Sequence, residues 1–307
     1  MAVTSGRSII MPLVRPTRPM HKAAMEARPD IFDRARRARH RDRMLPRFAD
    51  HDFLHRLMLD ELIDRLGAVQ RSLPEALVIG CPDDGARSAL EAMGKRVACA
   101  DPGFLAAKAA GGVQVDEDAL PFADDSFDLV LACGTLDSVN DLPGALILMR
   151  RVLRPDGLML AAFAGAGSLP RLKAALLAAE GDRPGQHVHP QVDVRSAGDL
   201  LSRAGFAMPV ADSETVTIRY GDIVRLMHDL RGMGVGNALA TRPPALSRAT
   251  LASAAARFAD AADPDGRTAE QMAILYLSGW KPDPTQAVPA RRGSATVSLA
   301  AALKAKD

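Results

Sequence analysis

The sequence predicts an α/β protein built on a mostly parallel sheet. Short apolar runs bounded by glycine, proline and acidic turns alternate with stretches whose apolar residues recur at helical spacing. That rhythm means βαβ units with right-handed crossovers. The chain has 307 residues, 48% hydrophobic and 25% charged. This is an ordinary globular composition, long enough for one large domain with appendages.

Ahead of the sheet, Phe53, Leu54, Leu57, Met58, Leu62 and Leu66 fall at helical spacing and predict an amphipathic helix over 53–66. Residues 76–80 form a short apolar strand ending in glycine. A helix over 86–93, a strand over 96–100 and an Asp101-Pro102-Gly103 turn follow. Next come a short helix over 105–109, a strand near 113–115, a buried strand over 127–133, a helix over 142–153 and a fifth strand over 158–163. The second half continues with helices over 169–179 and 197–204, Gly205 closing the latter. A β-prone run over 210–220, helices over 222–231 and 248–262, and a last strand over 272–280 complete the pattern. The expected organisation is a helical arm over 31–72 and an α/β domain over 73–281 with a helical insertion at about 221–265. A Pro-rich, then basic tail over 282–307 should end in a small Ala-rich helix. Residues 1–30, broken by Pro12, Pro16 and Pro19, read as disordered or as a mis-called extension, with Met11, Met20 and Met25 as possible starts. No repeat of period 20–50 is visible.

Charge is uneven. Residues 1–50 carry twelve Lys or Arg against five Asp or Glu, so the rest of a chain of net charge +2 is mildly acidic. A basic arm suits nucleic acid, anionic lipid or an acidic protein face. With no aromatic residues between the arginines to stack on bases, nucleic acid is not expected. The arm is read as a solvated helix over 34–47 with Arg36, Arg37, Arg39, Arg41 and Arg43 splayed outward. No run approaches the ~18–20 apolar residues of a membrane span. Cys81, Cys99 and Cys133 lie far apart in apolar stretches, which excludes a zinc cluster or disulfide scaffold and suits a reducing compartment.

In an open parallel sheet ligands bind outside the carboxyl ends of the strands. The loops to inspect follow Ile79, Ala100, Val115 and Cys133. The first is Gly80-Cys81-Pro82-Asp83-Asp84-Gly85, where glycine permits close backbone approach. Asp101 stands 21 residues after Gly80, a spacing suited to ribose hydroxyls. Asp116 and Glu117 follow the third strand, where an acid can meet an adenine amine. The candidate cofactor-binding residues are therefore Gly80, Cys81, Gly85, Asp101, Pro102, Asp116, Glu117 and Cys133. No catalytic residue is identified and no metal ligand set is expected. His51 and His55 share an i,i+4 spacing but lack a third ligand, so a solvated helix face is expected. His187 and His189, in a Gly/Pro loop over the carboxyl edge, could contribute a ligand or a base. No GxSxG elbow or phosphate-loop signature occurs.

Residues 116–122, Ser126-Phe127-Asp128-Leu129-Val130 and Leu153-Arg154-Pro155-Asp156-Gly157 resemble the class I S-adenosylmethionine-dependent methyltransferases. A closer resemblance is to the complex I assembly factor 5 family. It rests on Ile31-Phe32-Asp33-Arg34, Val139-Asn140-Asp141-Leu142-Pro143, Ala204-Gly205-Phe206, residues 226–234, Gly279-Trp280-Lys281 and residues 289–298. The resemblance implies a Rossmann-like fold with a seven-stranded sheet and S-adenosylmethionine as cofactor. It implies a link to assembly of respiratory complex I, a subunit of which would be the partner. The expected function is a methyltransferase-like protein acting on a protein or small-acid substrate. The alternatives are a non-catalytic assembly factor and a protein-arginine hydroxylase. A bacterial-type cytoplasm with peripheral membrane association is expected, the mitochondrial matrix being the alternative. The sequence departs from the family where an acid is replaced by Val78, a second glycine by Pro82, and a His-Trp pair by Asp137-Ser138.

Overall fold

The central strands carry the apolar runs that a sheet buried on both faces needs, while the edge segments 113–114 and 207–220 are largely exposed. In the computed structural model, which describes residues 30–181 and 184–285, they form one sheet. The expectations for residues 1–29, the basic tail and its Ala-rich helix lie outside the described residues. The strands are β1 (Glu75–Ile79), β2 (Arg96–Asp101), β3 (Val113–Gln114), β4 (Phe127–Cys133), β5 (Leu153–Ala164), β6 (Ala207–Tyr220) and β7 (Thr268–Trp280). Their order is β3-β2-β1-β4-β5-β7-β6, with β7 antiparallel to both neighbours and the other pairings parallel. The expected mostly parallel seven-stranded sheet is present.

Nine helices among the described residues flank it. They are α1 (Arg34–Met44), α2 (Phe53–Gly67), α3 (Gly85–Ala92), α4 (Phe104–Ala109), α5 (Leu142–Val152), α6 (Pro170–Glu180), α7 (Val194–Arg203), α8 (Ile223–Gly232) and α9 (Arg248–Asp260). The alternation of side chains along each strand splits the core in two. Val78, Leu129, Leu131 and Leu160 face α2, α6, α8 and α9 through Leu62, Leu172, Leu226 and Phe258. Leu77, Ile79, Val130 and Met159 face α5 and α7 through Leu146, Met149, Ala197 and Leu201.

The arm differs most from expectation. α1 stops at Met44 and passes into a 3-10 turn, Leu45–Asp50, because Pro46 has no N–H to continue the ladder. Its arginines are not all splayed outward. Arg39 and Arg43 are exposed, but Arg37 and Arg41 are only 6% and 5% exposed. Four residues apart, these two share the helix face that meets carboxylates of the domain. α1 is also strapped to a segment far along the chain. Phe32 and Leu239 form an isolated antiparallel bridge, and Arg36 Nη1 donates to the Leu239 carbonyl at 2.5 Å.

Candidate functional site

The strand order reverses between β1 and β4, and the crevice at their carboxyl ends is where the sequence placed its candidates. Gly80 has φ +88°, and a Cβ there would sit 2.3 Å from the Cys133 carbonyl oxygen, so only glycine lets β1 and β4 end side by side. Asp101, at the end of β2, is fully buried. Its Oδ1 accepts from the Gly103 amide at 2.8 Å and Arg41 Nε at 3.0 Å. Its Oδ2 accepts from the Cys81 amide at 3.1 Å and Arg41 Nη2 at 2.5 Å. Glu117, equally buried, takes a two-pronged bond from Arg37 with both distances 2.7 Å. Arg37 also donates to the Thr135 carbonyl at 2.6 Å and to Ser138 Oγ at 3.0 Å. Arg34 clasps Asp118 at 2.5 and 2.7 Å and lies 3.2 Å from Asp116. Burial works to discharge Arg41 and Arg37, but the Asp101 and Glu117 carboxylates outweigh it and hold both guanidiniums above their ordinary pKa.

The structure thus brings Gly80, Cys81, Asp101, Pro102, Asp116, Glu117 and Cys133 to one set of strand ends. Gly85 stands apart at the start of α3, its amide donating to Asp83 Oδ1 at 3.0 Å. Burial pushes the Cys133 thiol up to about 12. A hydrogen bond from Cys81 pulls Cys99 down to about 7. As the chain folds, this cleft does not fit S-adenosylmethionine. Each Asp101 oxygen already accepts two hydrogen bonds, so none is open to a ribose hydroxyl. Arg37 crosses from the loop after β3 to the loop after β4, and Pro82 has no N–H to offer. Sequence reasoning missed Arg37 and Arg41; the available signal was the i, i+3, i+7 spacing of Arg34, Arg37 and Arg41 on one helix face.

Beside the cleft lies a cavity of about 300 Å³ walled by α2, α6, α8 and residues 187–191. Met58, Leu172, Leu176, Met227, Leu230 and Ile274 give it an apolar lining; His55, Asp137, His187 and His189 are among its polar points, together with the Arg41 and Arg231 guanidiniums. His55 is neither on a solvated face nor paired with His51. It is buried in α2, while His51 precedes that helix and bonds Asp229 at 2.8 Å. Desolvation, helped by the Arg41 cation, pushes the His55 imidazole down to about 4, so it is neutral. Its Nε2 is buried and has no hydrogen-bond partner among the described residues. His187 Nε2 lies 2.6 Å from Glu180 Oε1, a carboxylate invisible in the sequence pattern. His189 Nε2 accepts from the Ala238 amide at 2.9 Å, and its Nδ1 faces Asp137 at 3.9 Å. Among the described residues no group of three or more His, Cys, Asp or Glu could hold a metal ion, and no helix is long and apolar enough to cross a membrane.

Comparison with known proteins agrees with this geometry at the level of fold. A family model described as a methyltransferase domain matches residues 77–161, the segment from β1 to β5. A solved Bacillus halodurans structure, described as a candidate methyltransferase, superposes with a TM-score of 0.52 over 73% of this chain and 99% of its own, at 15% identity. Among curated relatives, the arginine-hydroxylase NDUFAF5, mitochondrial, of Danio rerio is 35% identical over 88% of this chain and 89% of its own length. The human protein of the same name is 35% identical over 88% and 82%. A malonyl-[acyl-carrier protein] O-methyltransferase of Methylovorus is 30% identical over 84% and 93%. With likeness of this extent running through arm, sheet and insertion alike, the chain belongs to the NDUFAF5 family, within the class I S-adenosylmethionine-dependent methyltransferase superfamily.

Proposed function

We propose that this chain modifies an arginine side chain of a respiratory complex I subunit during assembly of that complex, and that the cavity beside the cleft receives the side chain. The observation that carries this is His55 Nε2, a buried ring nitrogen with no hydrogen-bond partner among the described residues, in the wall of a mainly apolar cavity. An arginine has the matching chemistry: an aliphatic stem for Met58, Leu172 and Leu176, and N–H donors for a lone pair and for the Asp137 carboxylate. A neutral imidazole accepts from a guanidinium without repelling it. The name borne by the relatives, arginine hydroxylase, supports the same substrate class.

A second reading, methyl transfer from S-adenosylmethionine to a protein or small acid, is favoured by Asp101 at the end of β2 and by the malonyl-carrier relatives. It requires the α1 arginines to leave the cleft. The location proposed with them is a bacterial-type cytoplasm, at the inner face of the membrane where respiratory complexes assemble. The relatives' mitochondrial names support the matrix as the alternative.

The test is peptide mass spectrometry of NADH dehydrogenase subunits from a deletion strain complemented with wild type or His55→Leu. One arginine should carry added mass with wild type alone. An added oxygen selects hydroxylation, and an added methylene selects methylation. Identical peptides in all strains would end the proposal.

A further inference from the structure

The acids that a nucleoside would use are all engaged by one helix of the same chain. Arg41 holds Asp101, Arg37 holds Glu117, and Arg34 holds Asp118 with Asp116 close by. α1 is also seated tightly by shape. A Cβ on Gly103 would lie 2.8 Å from Arg41 Cβ and 2.7 Å from Asp42 Oδ1. Asp42 Oδ1 accepts from the Leu105 amide at 2.8 Å, which ties α1 to the start of α4. On its other side α1 meets the segment that lines the cavity. The Asp33 amide donates to the Ala238 carbonyl at 2.7 Å, and His40 Nδ1 lies 3.2 Å from the Gly236 carbonyl.

We propose that α1 and an S-adenosyl nucleoside compete for one crevice, so that the helix is a built-in occupant whose displacement both opens the cleft and loosens the cavity wall. Ribose hydroxyls are donors that need carboxylate lone pairs, and both Asp101 oxygens have theirs taken. Binding therefore cannot add to the present arrangement; it replaces the Arg41 bonds. Arg37, reaching from Glu117 to the Thr135 carbonyl, bars the same space from the other side. Because the His40–Gly236 contact joins α1 to the cavity lining, release of the helix frees Gly236, while Asn237 stays tied to the Gln186 carbonyl. This inference concerns binding alone and stands whichever residue or reaction the cavity serves.

The experiment is calorimetric titration of the full chain with S-adenosylhomocysteine, for wild type, Arg41→Ala and Asp42→Ala, with folding checked by circular dichroism. Arg41→Ala should bind at least tenfold more tightly than wild type. Asp42→Ala, which loosens α1 without altering a cleft carboxylate, should gain severalfold. Hydrogen exchange of the α1 amides should accelerate at least tenfold in whichever of these proteins is saturated with ligand. The proposal is overturned if α1 amides become more protected with ligand and Arg41→Ala binds less well, since the helix would then be part of the site. It is equally overturned if none of the three folded proteins binds at millimolar ligand.

Discussion

His55 shows how one side chain links the cavity to stability. Its imidazole is neutral in the fold, with a pKa of about 4 against an ordinary 6.5. Between those values the unfolded chain binds a proton that the folded chain does not, so this group makes stability rise with pH from 4 to 6.5 and stay flat above. Lowering the pH from 7.5 to 5 should therefore cost about 2 kcal/mol through His55. Urea unfolding at the two values checks this, since His55→Leu should lose that part of the slope. Gly80 is a second such residue. A Cβ there would meet both the Cys133 carbonyl and the Thr135 side chain, at a φ that side chains rarely adopt. Gly80→Ala should destabilise by about 3 kcal/mol or more, read as a fall in the urea midpoint. The sequence disclosed Gly80, because a strand ending in glycine is a local pattern. It did not disclose the burial of Arg37 and Arg41, whose partners lie 80 and 60 positions away and turn a solvated residue type into a core one.

Among the elements, β4 spans the predicted residues because all its positions except Asp128 carry buried apolar side chains. β7 begins four residues earlier than its apolar run, at Thr268 rather than Met272. The unread start contains Glu270, polar by type yet fully buried. Its carboxylate accepts from the Arg171 and Leu172 amides at 3.1 and 2.8 Å, the first free N–H groups of α6. Local pattern cannot show a cap supplied from another strand. Glu270→Ala should destabilise by about 2 kcal/mol. Exchange of the α6 amides should rise with it, and normal protection of that helix in the variant would refute the assignment. Since α6 walls the cavity, the same change should loosen the site.

For the whole molecule, the alternation of strands and helices foretold an open sheet, and the motifs after β3 and at the start of β5 foretold its kind. The antiparallel placement of β7 between β5 and β6 was not readable, because strand direction depends on a crossover that leaves no local mark. Nor was the way the arm folds back across the cleft. That arrangement has a consequence in time. Arg36 and its acceptor on Leu239 are 203 positions apart, so α1 leaves the ribosome long before its strap is made. At about 5–20 residues per second the interval is roughly 10–40 s. The acids of β2 and of the loop after β3 are synthesised within it, ahead of the segment that fastens the far side of α1. Every nascent chain that ends short of Gly236 therefore carries α1 and those acids without the strap that joins them to the cavity wall.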